Sequence, residues 1–216
     1  MKIILQNLPN TRSLKSSKTE IKHTMTQNRL LVLLGTVLLG GLVCGALLAG
    51  QAGISALQKL DFLFNSNYIL RSGTAALSVF LASVCSSFLF VFADFLCGLS
   101  VWGTFLVPFV PFIRGIGLGM TAGYLYVTHG FYGGLFYAVV LLPGAFFSCL
   151  AILWSAKEAL LFSHRLSRAG LSEKGEPPNF LNYLSQFVRV LVLVFLGAGA
   201  DTLFSWAFAK SMISLL

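Results

Sequence analysis

Three ionisable side chains lie inside long apolar runs, and they are where chemistry in this chain has to be sought: Asp94, Arg114 and Asp201. An ionised group at membrane depth is costly, so it pairs with a partner or lines something wet. Arg114 reads as an interfacial anchor whose long stem lets the guanidinium snorkel toward water. Asp94 and Asp201 read as structural polar groups. Asp201 is expected near the outer interface, hydrogen-bonded to Thr202 or to a neighbouring helix. The sharper alternative for Asp201 is an ion relay or a basic partner within the bilayer, because Gly197, Ala198, Gly199 and Ala200 before it allow a close helix contact.

No other constellation points to a reaction. His23, His129 and His164 fall in separate segments, and no HExxH, GxSxG, GxGD or paired-carboxylate pattern occurs. Gly115-x-Gly117-x-Gly119 lacks the GK[ST] that a phosphate cradle needs and lies in an apolar run. Cys44, Cys85, Cys97 and Cys149 form no CxxC pair and read as small hydrophobes. The residues therefore predict no catalytic, cofactor-binding or metal site, and no cofactor.

The elements that must position these groups follow from composition. The 216 residues are 56% hydrophobic and only 10% charged, against roughly 25% charged in a soluble domain. The net charge of +8 does not form a nucleic-acid surface, because the basic residues sit at the ends of apolar runs. The expected fold is all-α: a polytopic membrane protein of about five transmembrane helices. A basic cytoplasmic tail spans 1–29, and a single integral-membrane helical domain spans 30–216.

Taken in order, the tail carries Lys2, Arg12, Lys15, Lys18, Lys22 and Arg29 against Glu20, shows no apolar periodicity and is expected to be poorly ordered. Leu30–Gly50 is a first span, too long for a signal peptide's apolar region of roughly 7–15 residues. Gln51–Gly73 is an outer segment in which ISALQKLDFLF has helical apolar spacing. Residues 74–113 are too long for one untilted span: either one long helix, or a span ending near Gly98 followed by a broken or re-entrant piece, with Gly98, Gly103, Pro108 and Pro111 as the places to bend. Gly115–Thr128 is a glycine-faced span and His129–Gly130 a tight external turn. A fourth span over about 131–154 carries Pro143–Gly144. Ser155–Gln186 is the main cytoplasmic loop, with EKGEPPN as its turn, and the last span covers about 187–208.

On this topology the tail, Arg114 and the five Lys and Arg from Lys157 to Arg189 lie inside, while Lys59, Arg71 and Lys210 lie outside. That asymmetry places the N-terminus in the cytoplasm and the C-terminus outside. Gly115, Gly119 and Gly123 recur every four residues and so share one helix face, where lipid supplies no hydrophobic drive and backbone proximity must. Gly98, Gly103 and Pro143 complete the expected helix-packing set. The glycine face is expected to pack within the monomer, with a homo-oligomer as the alternative.

The ordered elements Gly98-Leu99-Ser100-Val101-Trp102-Gly103, Arg114-Gly115, the glycines 115/119/123, Gly130 to Gly133 and Leu142-Pro143, with Phe64-Asn65 in the outer segment, resemble the stage II sporulation protein M family of integral membrane proteins. The resemblance covers residues from about 30 to the end. Two departures stand out: Gly144-Ala145-Phe146 follow the Leu-Pro where many relatives carry His or Gln and a carboxylate, and Arg114 stands where Lys is often found. The resemblance implies a non-enzymatic scaffold of the cell membrane. It would recruit peptidoglycan hydrolases, through stage II sporulation proteins D and P, for septal wall thinning and forespore engulfment from the mother cell. The residues alone also admit a small transporter or channel component with an intramembrane carboxylate path along Asp94, Arg114 and Asp201. Membrane lipids are partners on either reading.

Overall fold

The computed structural model describes residues 11–51, 76–171 and 179–213, all but a few of them helical. In chain order the elements are α1 (Thr11–Gln51), α2 (Ala76–Gly98), the single turn α3 (Gly103–Leu106), α4 (Phe109–Phe136), a π-turn (Tyr137–Leu141), α5 (Leu142–Leu171) and α6 (Phe180–Ile213). The outer segment from 52 to 73, with Phe64–Asn65, Lys59 and Arg71, and most of EKGEPPN lie outside the described residues, as does the side chain of Lys210.

Four stretches are long and apolar enough to cross a membrane: Arg29–Gly50, Ala76–Gly98, Gly103–Ala169 and Phe180–Phe208. The third, of 67 residues, is not one rod. Within α4, Gly130 takes φ 59° and ψ −138°, backbone that costs an L-residue of order 1–3 kcal/mol and that glycine adopts freely. The helix reverses there: Leu125, Phe136 and Val140 are fully buried in one cluster, although a straight helix would put Leu125 and Val140 roughly 22 Å apart. The stretch thus supplies two membrane-length arms, 109–129 and the return arm from 131 onward. With them the chain is an all-α polytopic membrane protein with five crossing segments.

Neighbour pairs fix the direction of each arm. Gly41, Gly45 and Ala49 of α1 meet Phe112, Ile116 and Gly123 of α4, so these two helices run parallel. Ser87 and Asp94 of α2 meet Ser148 and Ser155 of α5, a constant offset of 61 residues, so these also run parallel. Gly144 meets Asp201 while Phe162 stacks on Tyr183, so α5 and α6 are antiparallel. The five arms therefore alternate, up-down-up-down-up, and α1 and α6 point the same way.

The outer surface is apolar all round, as lipid requires. Trp102 and Phe105 at one end of the bundle are each 72% exposed and Phe131 at the Gly130 end is 75% exposed, positions that suit aromatic belts at the two interfaces. The bundle's core is built from Leu34, Val91, Val107, Ile152, Ala156, Tyr183, Val190 and Val194.

Two expectations need correction, and one left open is decided. Residues 11–29 of the tail are helical and continuous with the first span: nothing from Thr11 to Leu34 is Gly or Pro, and Lys, Arg, Glu, Gln, Met and Leu are good helix formers. Of the two forms open for 74–113, the structure has the broken one: α2 ends at Gly98, and Leu99–Trp102 and Val107–Pro108 are turns around α3, before α4 starts at Phe109. The expected loop at Ser155–Gln186 is mostly helix, α5 running to Leu171 and α6 starting at Phe180. Ala156, Ala159, Leu160 and Ser163 bury one face of that extension, so tertiary packing carries the helix beyond its apolar run.

Candidate functional site: a polar seam through the bundle

Every buried ionisable group in the spans sits along one seam between α2 and α5. On α5 the seam positions are Gly144, Ser148, Ser155 and Ser163. Nineteen residues at 1.5 Å each make it roughly 28 Å long, close to the hydrocarbon thickness of about 30 Å. On α2 the facing positions are Ser87, Asp94 and Gly98, one stripe of the buried face.

The seam is layered. In the upper layer the Arg114 guanidinium, from α4, donates Nη1 to Ser86 Oγ at 3.2 Å and Nη2 to Ser148 Oγ at 3.1 Å. Ser148 Oγ is also 2.9 Å from Ser87 Oγ, and the guanidinium carbon stands 5.3 Å from the centroid of Phe90, within cation–π range. One side chain thus ties α4 to α2 and α5 through its planar fork, a geometry lysine's single ammonium does not offer. Asp201 of α6 lies toward the same end of the seam, against Gly144. Arg114 is 6% exposed, so the expected snorkelling anchor is corrected: the stem leads inward, where Ser86 and Ser148 accept from it.

Asp201 reaches the seam because Gly144 has no side chain. A Cβ at 144 would fall on the Asp201 side chain, with Cγ and Oδ1 both 2.8 Å away. Asp201 is 5% exposed, and the Thr202 hydroxyl donates to Ala198 O at 2.8 Å, so the expected Thr202 partner is engaged with its own helix. Just before Gly144, the π-turn at Tyr137–Leu141 absorbs Pro143, whose ring would otherwise crowd the preceding turn.

In the lower layer Asp94 is fully buried. Ser155 Oγ lies against Asp94 Oδ2 and 2.9 Å from Ile152 O; its one proton serves one acceptor at a time. Asp94 Oδ1 and Arg114 Nε are buried without a hydrogen-bond partner in the protein. Nearest the α3 end, Ser163 donates to Ser100 O at 2.8 Å and lies 3.4 Å from Thr104. Gly98 and Gly103 close this end: a Cβ at 98 would meet the Tyr183 hydroxyl and Ala159, and one at 103 the Cys97 carbonyl and Ser163. Tyr183 donates to Phe95 O at 3.0 Å and stacks on Phe162 at 4.1 Å.

Between the upper and lower layers stand Val91 and Ile152, 1% and 0% exposed. Alongside the seam, α1 and α4 pack backbone to backbone. The Cβ positions of Gly41 and Gly45 are occupied by the carbonyls of Phe112 and Ile116, and those of Gly115 and Gly119 by the carbonyls of Leu38 and Leu42; Gly123 abuts Ala46 and Ala49. A glycine hydrogen aimed at a carbonyl is the geometry of a Cα–H···O contact.

The structure thus brings Asp94, Arg114 and Asp201 into one seam, and it sets Gly98, Gly103, Gly115, Gly119 and Gly123 at helix contacts. Sequence reasoning missed Gly41 and Gly45, whose four-residue spacing was a readable signal, and missed the serines of α2 and α5, whose two-turn recurrence was another. Among the described residues no three of His, Cys, Asp and Glu come together as a metal-ligand set. Fold and seam define the class: a helical membrane bundle locked by glycine packing and buried polar crosslinks. Comparison of the chain with protein-family models, curated proteins and solved structures finds no match.

Proposed function

We propose that this chain is a non-enzymatic membrane scaffold that recruits peptidoglycan hydrolases, the role implied by its resemblance to stage II sporulation protein M. On this reading stage II sporulation proteins D and P are its partners, the site of action is the septum, and the positively charged N-terminal end faces the cytoplasm. The observation that supports it most is the filled layer at Val91 and Ile152. On either side of that layer Ser87, Ser148 and Arg114, and Asp94 with Ser155, bond from helix to helix, the crosslinking that a rigid scaffold requires.

Crosslinking of the tagged chain in its host membrane during septation, followed by pull-down and mass spectrometry, tests this. Recovery of septal hydrolases is expected with the natural chain and lost with Gly119→Leu, which pushes α1 from α4. Recovery of the chain with a nucleotide-driven transport component and no hydrolase overturns the proposal.

A second reading, a small transporter or channel component, draws on the unpartnered Asp94 Oδ1 and Arg114 Nε, buried polar atoms that water or an ion would satisfy. Ion flux in liposomes that contain the natural chain and disappears with Asp94→Asn favours this reading over the scaffold.

A further inference from the structure

Where α5 and α6 part company at the end of the bundle that holds Arg29, a cavity of about 630 Å³ opens between them. Among the described residues its wall carries Lys157, Arg165 and Arg189 against one acid, Glu158, with Asn182 and Gln186 as neutral donors and Trp154 and Leu161 on the apolar side. Glu158 is held by Lys157 at 3.4 Å, so among the described lining residues no second acid faces the two arginines. The lining runs from Trp154 to Arg165 along α5 and from Arg189 back to Asn179 beside the start of α6. That is about eleven residues along α5, or roughly 16 Å, more than the roughly 5–8 Å of one bilayer interface, so the cavity reaches from the headgroup level into the acyl region.

We propose that this cavity binds a phosphate-bearing anion, and that the source of the phosphate is the headgroup of an anionic phospholipid. Arginine forks match phosphate oxygens in pairs. Asn182 and Gln186 add donors, and the start of α6 adds a helix end of the same sign. The apolar side of the cavity, with Trp154 46% exposed, gives an acyl chain a surface that a soluble phosphate has no use for. The cavity is separate from the seam, and its occupancy does not depend on the scaffold reading.

The test uses the full chain, purified in a neutral detergent and stripped of lipid. Native mass spectrometry then counts retained lipid on addition of phosphatidylglycerol, phosphatidylcholine or inorganic phosphate. Phosphatidylglycerol is expected to be retained at least tenfold more strongly than phosphatidylcholine, and millimolar inorganic phosphate is expected not to displace it. At about fivefold for each cation removed, the Arg165→Gln/Arg189→Gln pair is expected to weaken phosphatidylglycerol retention roughly 25-fold. Glu158→Gln frees Lys157 and is expected to strengthen retention severalfold, a gain that misfolding cannot produce. Equal retention of the two lipids, or no response to both the arginine pair and Glu158→Gln, overturns the site. Displacement by inorganic phosphate overturns the lipid as its source.

Discussion

Arg114 is the residue on which the seam turns. Removing a buried charged donor costs about 1.5–3 kcal/mol for each hydrogen bond it made. Arg114→Met is therefore expected to lower thermal stability in detergent sharply, since Ser86 and Ser148 lose the guanidinium that joins α4 to α2 and α5. Asp201 lies at the same end of the seam, against Gly144, and Asp201→Asn tests it as the counter-charge: the double variant is expected to be more stable than the sum of the two single losses by about 1–3 kcal/mol. Additive losses would show that the two groups do not interact. This pairing was half legible in the sequence. Arg114 and Asp201 stood out as charges in apolar runs, but nothing in a linear pattern says that an arginine in the second turn of α4 lies at the same end of the seam as an aspartate 87 residues later. The serines that receive Arg114 looked like ordinary small residues, because a hydroxyl tolerated in a membrane helix by bonding its own backbone looks the same in sequence as one that bonds across helices. Only the helix directions distinguish the two.

At the scale of the element, the contact between α1 and α4 separates glycines that touch from glycines that do not. A Cβ on Gly119 would land on the Leu42 carbonyl, which belongs to a helix backbone and cannot rotate aside. Gly35 and Gly40, on the same α1, have nothing within 4 Å and face lipid. Gly119→Ala is expected to cost about 1–3 kcal/mol, the usual range for overpacking. Gly40→Ala is expected to be neutral or to add up to about 1 kcal/mol of helix propensity. Melting temperatures of the two variants in one detergent decide the matter. If they fall equally, the α1–α4 seam is not where the glycines act. The four-residue repeat on α4 is readable without coordinates, but its partner is not: the same face serves a second copy of the chain as well as it serves α1. The break within 74–113 was similarly readable as a set of candidate bends, Gly98, Gly103, Pro108 and Pro111, while the choice among them was set by packing. Gly98 and Gly103 are buried against α5 and α6, which leaves no room for a side chain at either turn.

At the scale of the whole molecule, the arms are held in an order that has a consequence for sidedness. With α1 parallel to the first arm of α4, and α2 and α5 both opposed to them, the described residues hold an odd number of membrane-length arms. The crossing that makes the count odd is the one created by the reversal at Gly130. Without it, residues 103–169 would be one 67-residue rod, about three times the length that a bilayer accommodates. Hydropathy alone sees that excess length without locating the fold, whereas a glycine that follows His129 and precedes Phe131-Tyr132 marks it. The expected outcome is that the two ends of the full chain report opposite sides. A fluorescent protein fused before Met1 should mature and glow in the cytoplasm, where the basic N-terminal residues hold it. Alkaline phosphatase fused after Leu216 should be active, since it folds only after export. If both fusions report the cytoplasm, one crossing is lost; the reversal at Gly130 is then wrong, and with it the meeting of Arg114 with Ser148 that depends on the two arms lying side by side.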